Sequence, residues 1–267
     1  MRLQGRGEDY IANRPILVNS AVAFALALVM MITLHELAHG VAAIWQGQTP
    51  VIYPGSEKDG AATVSSRVLI AAAGPLWSLL SGLVVLSLPQ VSRRHGFLRL
   101  LILWFGLLSV QEFAGYLFVG MFGSVGDVAI IYRQLSTPFL VKLVVLMIGG
   151  GMTAALGRLA TLRFLEMTDP GGPPAPELRR LGLFAWITGV AMVALLSLPR
   201  AHLDASTIFE FVGTLTSGIF VLLVRPFSAQ VHADRQVTQF AVPVAGIAAL
   251  LVAVVARILV LGGGLQL

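Results

Sequence analysis

His35-Glu36-Leu37-Ala38-His39 lies inside an almost unbroken apolar run from Pro15 to Trp45, and its reading decides what fold the chain can adopt. A helix needs about 20 apolar residues to cross a bilayer, and this run is longer. Residues four apart share a helix face, so both imidazoles can hold one cation while Glu36 reaches a water beside it. Burying His, Glu and His among apolar side chains is costly without a partner, which marks them as functional. The pattern is the zinc-hydrolase signature. The competing reading is two core histidines satisfied by backbone carbonyls, with Glu36 paired to a nearby cation.

Composition points the same way. The 267 residues are 57% hydrophobic and 12% charged, with a mean hydropathy of +0.85. Soluble domains carry about 25% charged residues, so an integral, multi-pass membrane protein is expected. Cysteine is absent, which excludes disulfides, thiolate ligands and a cysteine nucleophile. A zinc site must then be built from histidine and carboxylate. The net charge of +5 comes mostly from isolated arginines in loops. That spacing suits lipid headgroups and excludes nucleic acid as a partner, because no basic run is interleaved with aromatics. The first apolar segment is too long for a secretory signal peptide.

The hydrophobic pattern predicts an all-α architecture of about six to seven transmembrane helices, at 16–45, 67–88, 97–120, 137–159, 181–198, 207–224 and 239–262. Gln46–Arg67 breaks the pattern. Thr49–Tyr53 and Ala62–Ser65 read as strands flanking a turn at Gly55–Gly60, a short β-hairpin after the first helix. Such a hairpin can offer its edge to an extended peptide or serve as a simple surface loop. The polar loop Glu166–Arg180, rich in Gly and Pro, separates a front half from a back half. The expected organisation is a tail over 1–15, a catalytic membrane core over 16–135 and accessory helices over 136–267.

Two histidines leave a catalytic zinc site incomplete, since a third protein ligand and an open position are required. His95, His202 and His232 fall in connecting loops and read as solvated. Glu112, inside the third span, and Asp127, just after it, remain. His35 lies about 20 residues into a helix that rises about 1.5 Å per residue, near the face where the first helix ends. The third span runs in the same direction and carries Asp127 to that face, where the second span begins with Ala73-Gly74-Pro75. Asp127 is therefore favoured as ligand, with Glu112 as a deeper supporting group or substitute ligand. Glu210 and Arg257, at similar depth in neighbouring spans, are expected to pair. Gly149-Gly150-Gly151 is expected to permit close packing or a kink.

With these residues assembled, the chain resembles the site-2 protease family of intramembrane zinc metalloproteases. The resemblance covers Ile16 to about Arg133. It rests on His35-Glu36-Leu37-Ala38-His39, on Ala73-Gly74-Pro75-Leu76-Trp77-Ser78 and on Gly126-Asp127. It implies that His35, His39 and Asp127 hold zinc, that Glu36 activates the water, and that a hairpin follows the first helix. The chain departs from the family pattern where Ser78 stands for an asparagine, and where Gly126 and Val128 flank the aspartate in place of leucine and glycine. The prolines usual before that motif are missing. Ser78, Gly74 and Pro75 then fall to substrate contact or support of the ligands.

The expected function is a zinc-dependent intramembrane endopeptidase, cutting in or near the transmembrane segments of membrane proteins. The alternative is a catalytically silent relative, a structural or assembly subunit of a larger membrane complex. A transporter is disfavoured by the lack of paired half-helices.

Overall fold

The computed structural model describes residues 14–53, 56–58, 63–88, 96–122, 126–167, 174–197, 205–224 and 241–267. Eight α-helices fill them: α1 (Arg14–Trp45), α2 (Val64–Ser87), α3 (Phe97–Val119), α4 (Asp127–Gln134), α5 (Phe139–Leu165), α6 (Pro174–Ser197), α7 (Ala205–Thr216) and α8 (Val244–Ala256). A 3-10 turn over Ile219–Leu223 follows α7, and a π turn over Arg257–Leu261 continues α8. Five helices are long and apolar enough to cross a membrane: α1, α2, α3, α5 and α8 with its π turn. Helical segments of α6 and α7 with its 3-10 turn are apolar but shorter.

α1 is the axis of the bundle, packed by α2, α3, α6 and α8. Its residues from Ala21 to Val29 are all buried, without the one-sided stripe of a surface helix. The largest buried ring, Trp104 of α3, packs edge-on to Phe24 of α1, with centroids 5.0 Å apart, and lies against Phe164 and Phe220. Its indole N–H donates to Ser20 Oγ at 2.9 Å, so the ring is buried without an orphaned donor. The outward faces of α2 (Leu76, Leu80, Leu83, Val84) and α5 (Val144, Met147, Ile148) are apolar and exposed. Apolar surface on that scale calls for a covering of its own kind, as lipid tails provide.

Small residues set the helix spacing. A Cβ on Gly82 of α2 would stand 2.9 Å from the Val110 backbone nitrogen and 3.0 Å from the Gly106 carbonyl of α3. Of the glycine triple in α5, Gly149 is the contact residue, 2.7 Å from the Ala114 carbonyl by the same measure, while Gly150 and Gly151 face open space. Charge appears where helices end. Arg99, in the first turn of α3, and Arg163, in the last turn of α5, both donate to Glu166, at 2.6 and 3.2 Å.

The hairpin exists but is shifted and shorter than the sequence suggests. β1 (Val51–Tyr53) pairs antiparallel with β2 (Ser56–Lys58), in the segment expected to be the turn. Of the expected second strand, Ala62–Ser65, the described part instead opens a helix, because Thr63 caps α2 by accepting from the Ser66 N–H at 3.1 Å. A third strand, β3 (Leu265–Gln266), pairs with the other edge of β1, giving the order β2-β1-β3.

The expected single span 207–224 is broken after Thr216. Trp186 Nε1 and Ser217 Oγ take the carbonyls of Leu215 and Thr214, which a continuing helix would have used, and the Trp186 ring covers Gly218. His95, His202 and His232 lie outside the described residues, as does the side chain of Glu210 and hence its expected pairing with Arg257.

Replacing Gly82 with leucine should force α2 from α3 and cost about 1–3 kcal/mol, as overpacking of a close contact does. Reversible unfolding in mixed detergent micelles measures it.

Candidate metal centre

His35 and His39 sit one turn apart on the buried face of α1, with 1% and 5% of their surface exposed. Each ring is fixed by a bond at its Nδ1. His39 Nδ1 donates to the Ile70 carbonyl of α2 at 2.7 Å, so the neutral ring must present a lone pair at Nε2. His35 Nδ1 meets the hydroxyl of Ser78 at 3.1 Å, and this hydroxyl can accept the Nδ1 proton in the same way. Pro75 lies between these two anchors, inside α2. It has no N–H for the Ala71 carbonyl, which loosens the helix at the turn facing the histidines.

Asp127 completes the group from α4. The preceding Gly126 has φ +99°, a conformation that a leucine would rarely adopt, and it turns the chain so that Asp127 opens the helix. The carboxylate thus gains from the α4 N-terminus. Burial opposes its charge, but positive charge on the imidazoles of His39 and His35 outweighs this and holds Asp127 well below the usual carboxylate range.

Three atoms converge. The two Nε2 atoms are 3.1 Å apart, and Asp127 Oδ2 is 3.1 Å from that of His35 and 3.3 Å from that of His39. A tetrahedral zinc site with bonds of about 2.0–2.1 Å places its ligands about 3.3 Å apart. The triangle therefore matches the spacing of three zinc ligands and leaves a fourth position free. With both Nδ1 protons engaged, neutral rings and the carboxylate face one another with acceptors, and positive charge between them, a proton or a metal ion, relieves their repulsion.

Gly74 supplies a second test of fit. A Cβ there would strike His39 Nε2 and stand 2.6 Å from His35 Nε2. The missing side chain is what leaves room beside the ligand atoms. Among the described residues, His35, His39 and Asp127 form the group able to hold a metal ion.

The surroundings sort the remaining candidates. Glu36 is buried, with 6% of its surface exposed, and lies between the two histidines in sequence. Glu112 lies on α3 within the electrostatic reach of His35, Asp127 and Glu36, but outside the metal-binding trio. Ser78 is taken up by His35. Tyr116, not anticipated from the sequence, stacks flat on the His35 ring, with centroids 5.3 Å apart and planes 9° from parallel, and its hydroxyl donates to Asp127. Its only sequence signal was a position one turn after Glu112, on the same face of α3.

Comparison with known proteins finds no matching family model, curated protein or solved structure. The functional reading therefore stands on these residues and their arrangement.

Elemental analysis of the purified protein should find one metal ion per chain. His39→Ala and Asp127→Ala should each weaken binding by more than about 100-fold in chelator competition. Gly74→Ala should lose the metal as well, through steric occupation, whereas Glu112→Gln should keep it.

Proposed function

We propose that the protein is a zinc-dependent intramembrane endopeptidase, similar in its site to the site-2 proteases, acting on membrane-spanning segments of other membrane proteins. One observation carries this reading: two imidazoles and a carboxylate sit at zinc-ligand spacing in an apolar bundle, with the buried acid Glu36 between the histidines in sequence. Two nitrogens and one oxygen with an open fourth position form the ligand set of catalytic zinc. When bound, the ion would act as a Lewis acid toward a carbonyl and bring the pKa of a water to about 7.

The protein's own groups supply the rest. Glu36 takes the proton of the attacking water and returns it to the leaving amine, so the peptide bond is exchanged for an acid and an amine. Ser78 and the Ile70 carbonyl hold both rings in the tautomer that leaves Nε2 unprotonated, and Tyr116 keeps Asp127 in place. Gly74 keeps the space beside the ligands clear. A transmembrane substrate arrives helical, and its backbone must unwind before attack. The loosened turn of α2 at Pro75 and the strands after α1 lie next to the site and suit an extended chain.

The apolar outer faces of α2 and α5 support a position in the bilayer, where lipid and substrate helices would be the partners.

Glu36→Gln should keep one zinc per chain and lower cleavage of a single-span substrate in liposomes by about 10²–10⁴-fold. Zinc binding without Glu36-dependent cleavage would instead identify a silent structural subunit, and purified protein free of zinc would overturn the hydrolase reading.

A further inference from the structure

Tyr116 touches two of the three candidate ligands at once. Its ring lies flat on the His35 imidazole, with centroids 5.3 Å apart and planes 9° from parallel. Its hydroxyl donates to the carboxylate of Asp127. The two ligands stand on different helices, α1 and α4, and Tyr116 on a third, α3. Stacking needs only the ring, which a phenylalanine would also bring, so the hydroxyl calls for a reason of its own.

The ligands differ in how many ways they can bind. Each imidazole has its Nδ1 engaged, His39 on the Ile70 carbonyl and His35 on Ser78, and offers Nε2 alone. A carboxylate has two oxygens and can give a cation one or both. Asp127 brings Oδ2 to 3.1 and 3.3 Å from the two Nε2 atoms, the spacing of a single ligand position. Were the second oxygen to turn in as well, it would take the open position that a reacting water needs. In an apolar bundle little water is at hand to restrain that oxygen. A fixed O–H donor does so, because an oxygen that accepts a hydrogen bond is held in direction and gives less of its charge to the cation.

We propose that Tyr116 is a positioning residue that keeps Asp127 a one-oxygen ligand, by bonding the carboxylate oxygen turned away from the histidines. This deepens the endopeptidase reading and rests on its metal centre. The open position is then maintained by a phenol on α3, outside the ligand set. The flat stack serves the same end. With Ser78 on its Nδ1 and Tyr116 on its face, the His35 ring cannot turn without losing a bond or a stack.

Cobalt(II) in place of zinc reports ligand number and type through its visible absorption, and azide is a small probe of the open position. The wild-type protein should bind one cobalt per chain, with the intense spectrum of four ligands, and that spectrum should shift as azide enters. Tyr116→Phe keeps the ring and should still bind one cobalt. Its spectrum should change, and its affinity for azide should fall about 10-fold or more, as Asp127 turns in its second oxygen. A merely structural role would weaken cobalt binding and leave the spectrum and azide affinity of the bound fraction alone. That result overturns the proposal. So does a wild-type cobalt protein that is pale or takes no azide, a measurement that needs no variant. Cleavage of a single-span peptide in liposomes is scored separately with zinc. An azide site that depends on Tyr116, in a wild type that does not cleave, would retain this assignment and remove the protease. A wild type that binds no cobalt would remove both.

Discussion

Two imidazole nitrogens and a carboxylate oxygen face one another at 3.1–3.3 Å in the middle of an apolar helix bundle. Much of the architecture around them can be understood from that juxtaposition. Acceptors brought so close repel unless positive charge lies between them, and the surroundings contribute the restraints that keep them there. α1 must bury the face that carries the two histidines to hold them away from water. α2 must come close enough to bond both rings from behind. α3 must end early enough for a turn to deliver an aspartate from a separate short helix.

The contact of α2 with α1 shows how sequence meets these demands. Ile70, Gly74 and Ser78 recur every four residues and form one stripe facing the histidines. Its upper member offers a carbonyl, its lower member a hydroxyl, and its middle member nothing at all. The empty middle is as necessary as the two bonds, since any side chain there would fill the space a ligated ion and its fourth partner require. Ser78, at the position where the resembled family carries asparagine, is committed to a ring nitrogen.

The parts legible in the sequence were those with strong local signals. The His-x-x-x-His spacing puts two candidate ligands on one face by helical period alone, and the direction of successive spans brings Asp127 rather than Glu112 into the group with them. The parts that were not legible depend on contacts distant in sequence. By sequence Tyr116 is one aromatic in an apolar helix, and only its stacking on His35 singles it out. From Thr63 onward the expected strand gives way to a threonine cap, a local competition that alternation of polar and apolar residues does not reveal. The break after Thr216 arises because a tryptophan thirty positions earlier captures a carbonyl from the helical ladder.

The sheet also imposes a rule of parity. Its central strand leaves the end of α1, its outer strand leaves the π turn after α8, and paired strands must share one side of a bilayer. The chain between them can then make only an even number of traverses. α2, α3, α5 and α8 are the four helices between them long and apolar enough to cross, so in a bilayer α6 and the α7 segment would either both pass through the lipid or both stay out of it. Two strands of two and three residues thereby tie the routes of two helices to each other, although neither helix touches the sheet's hydrogen bonds.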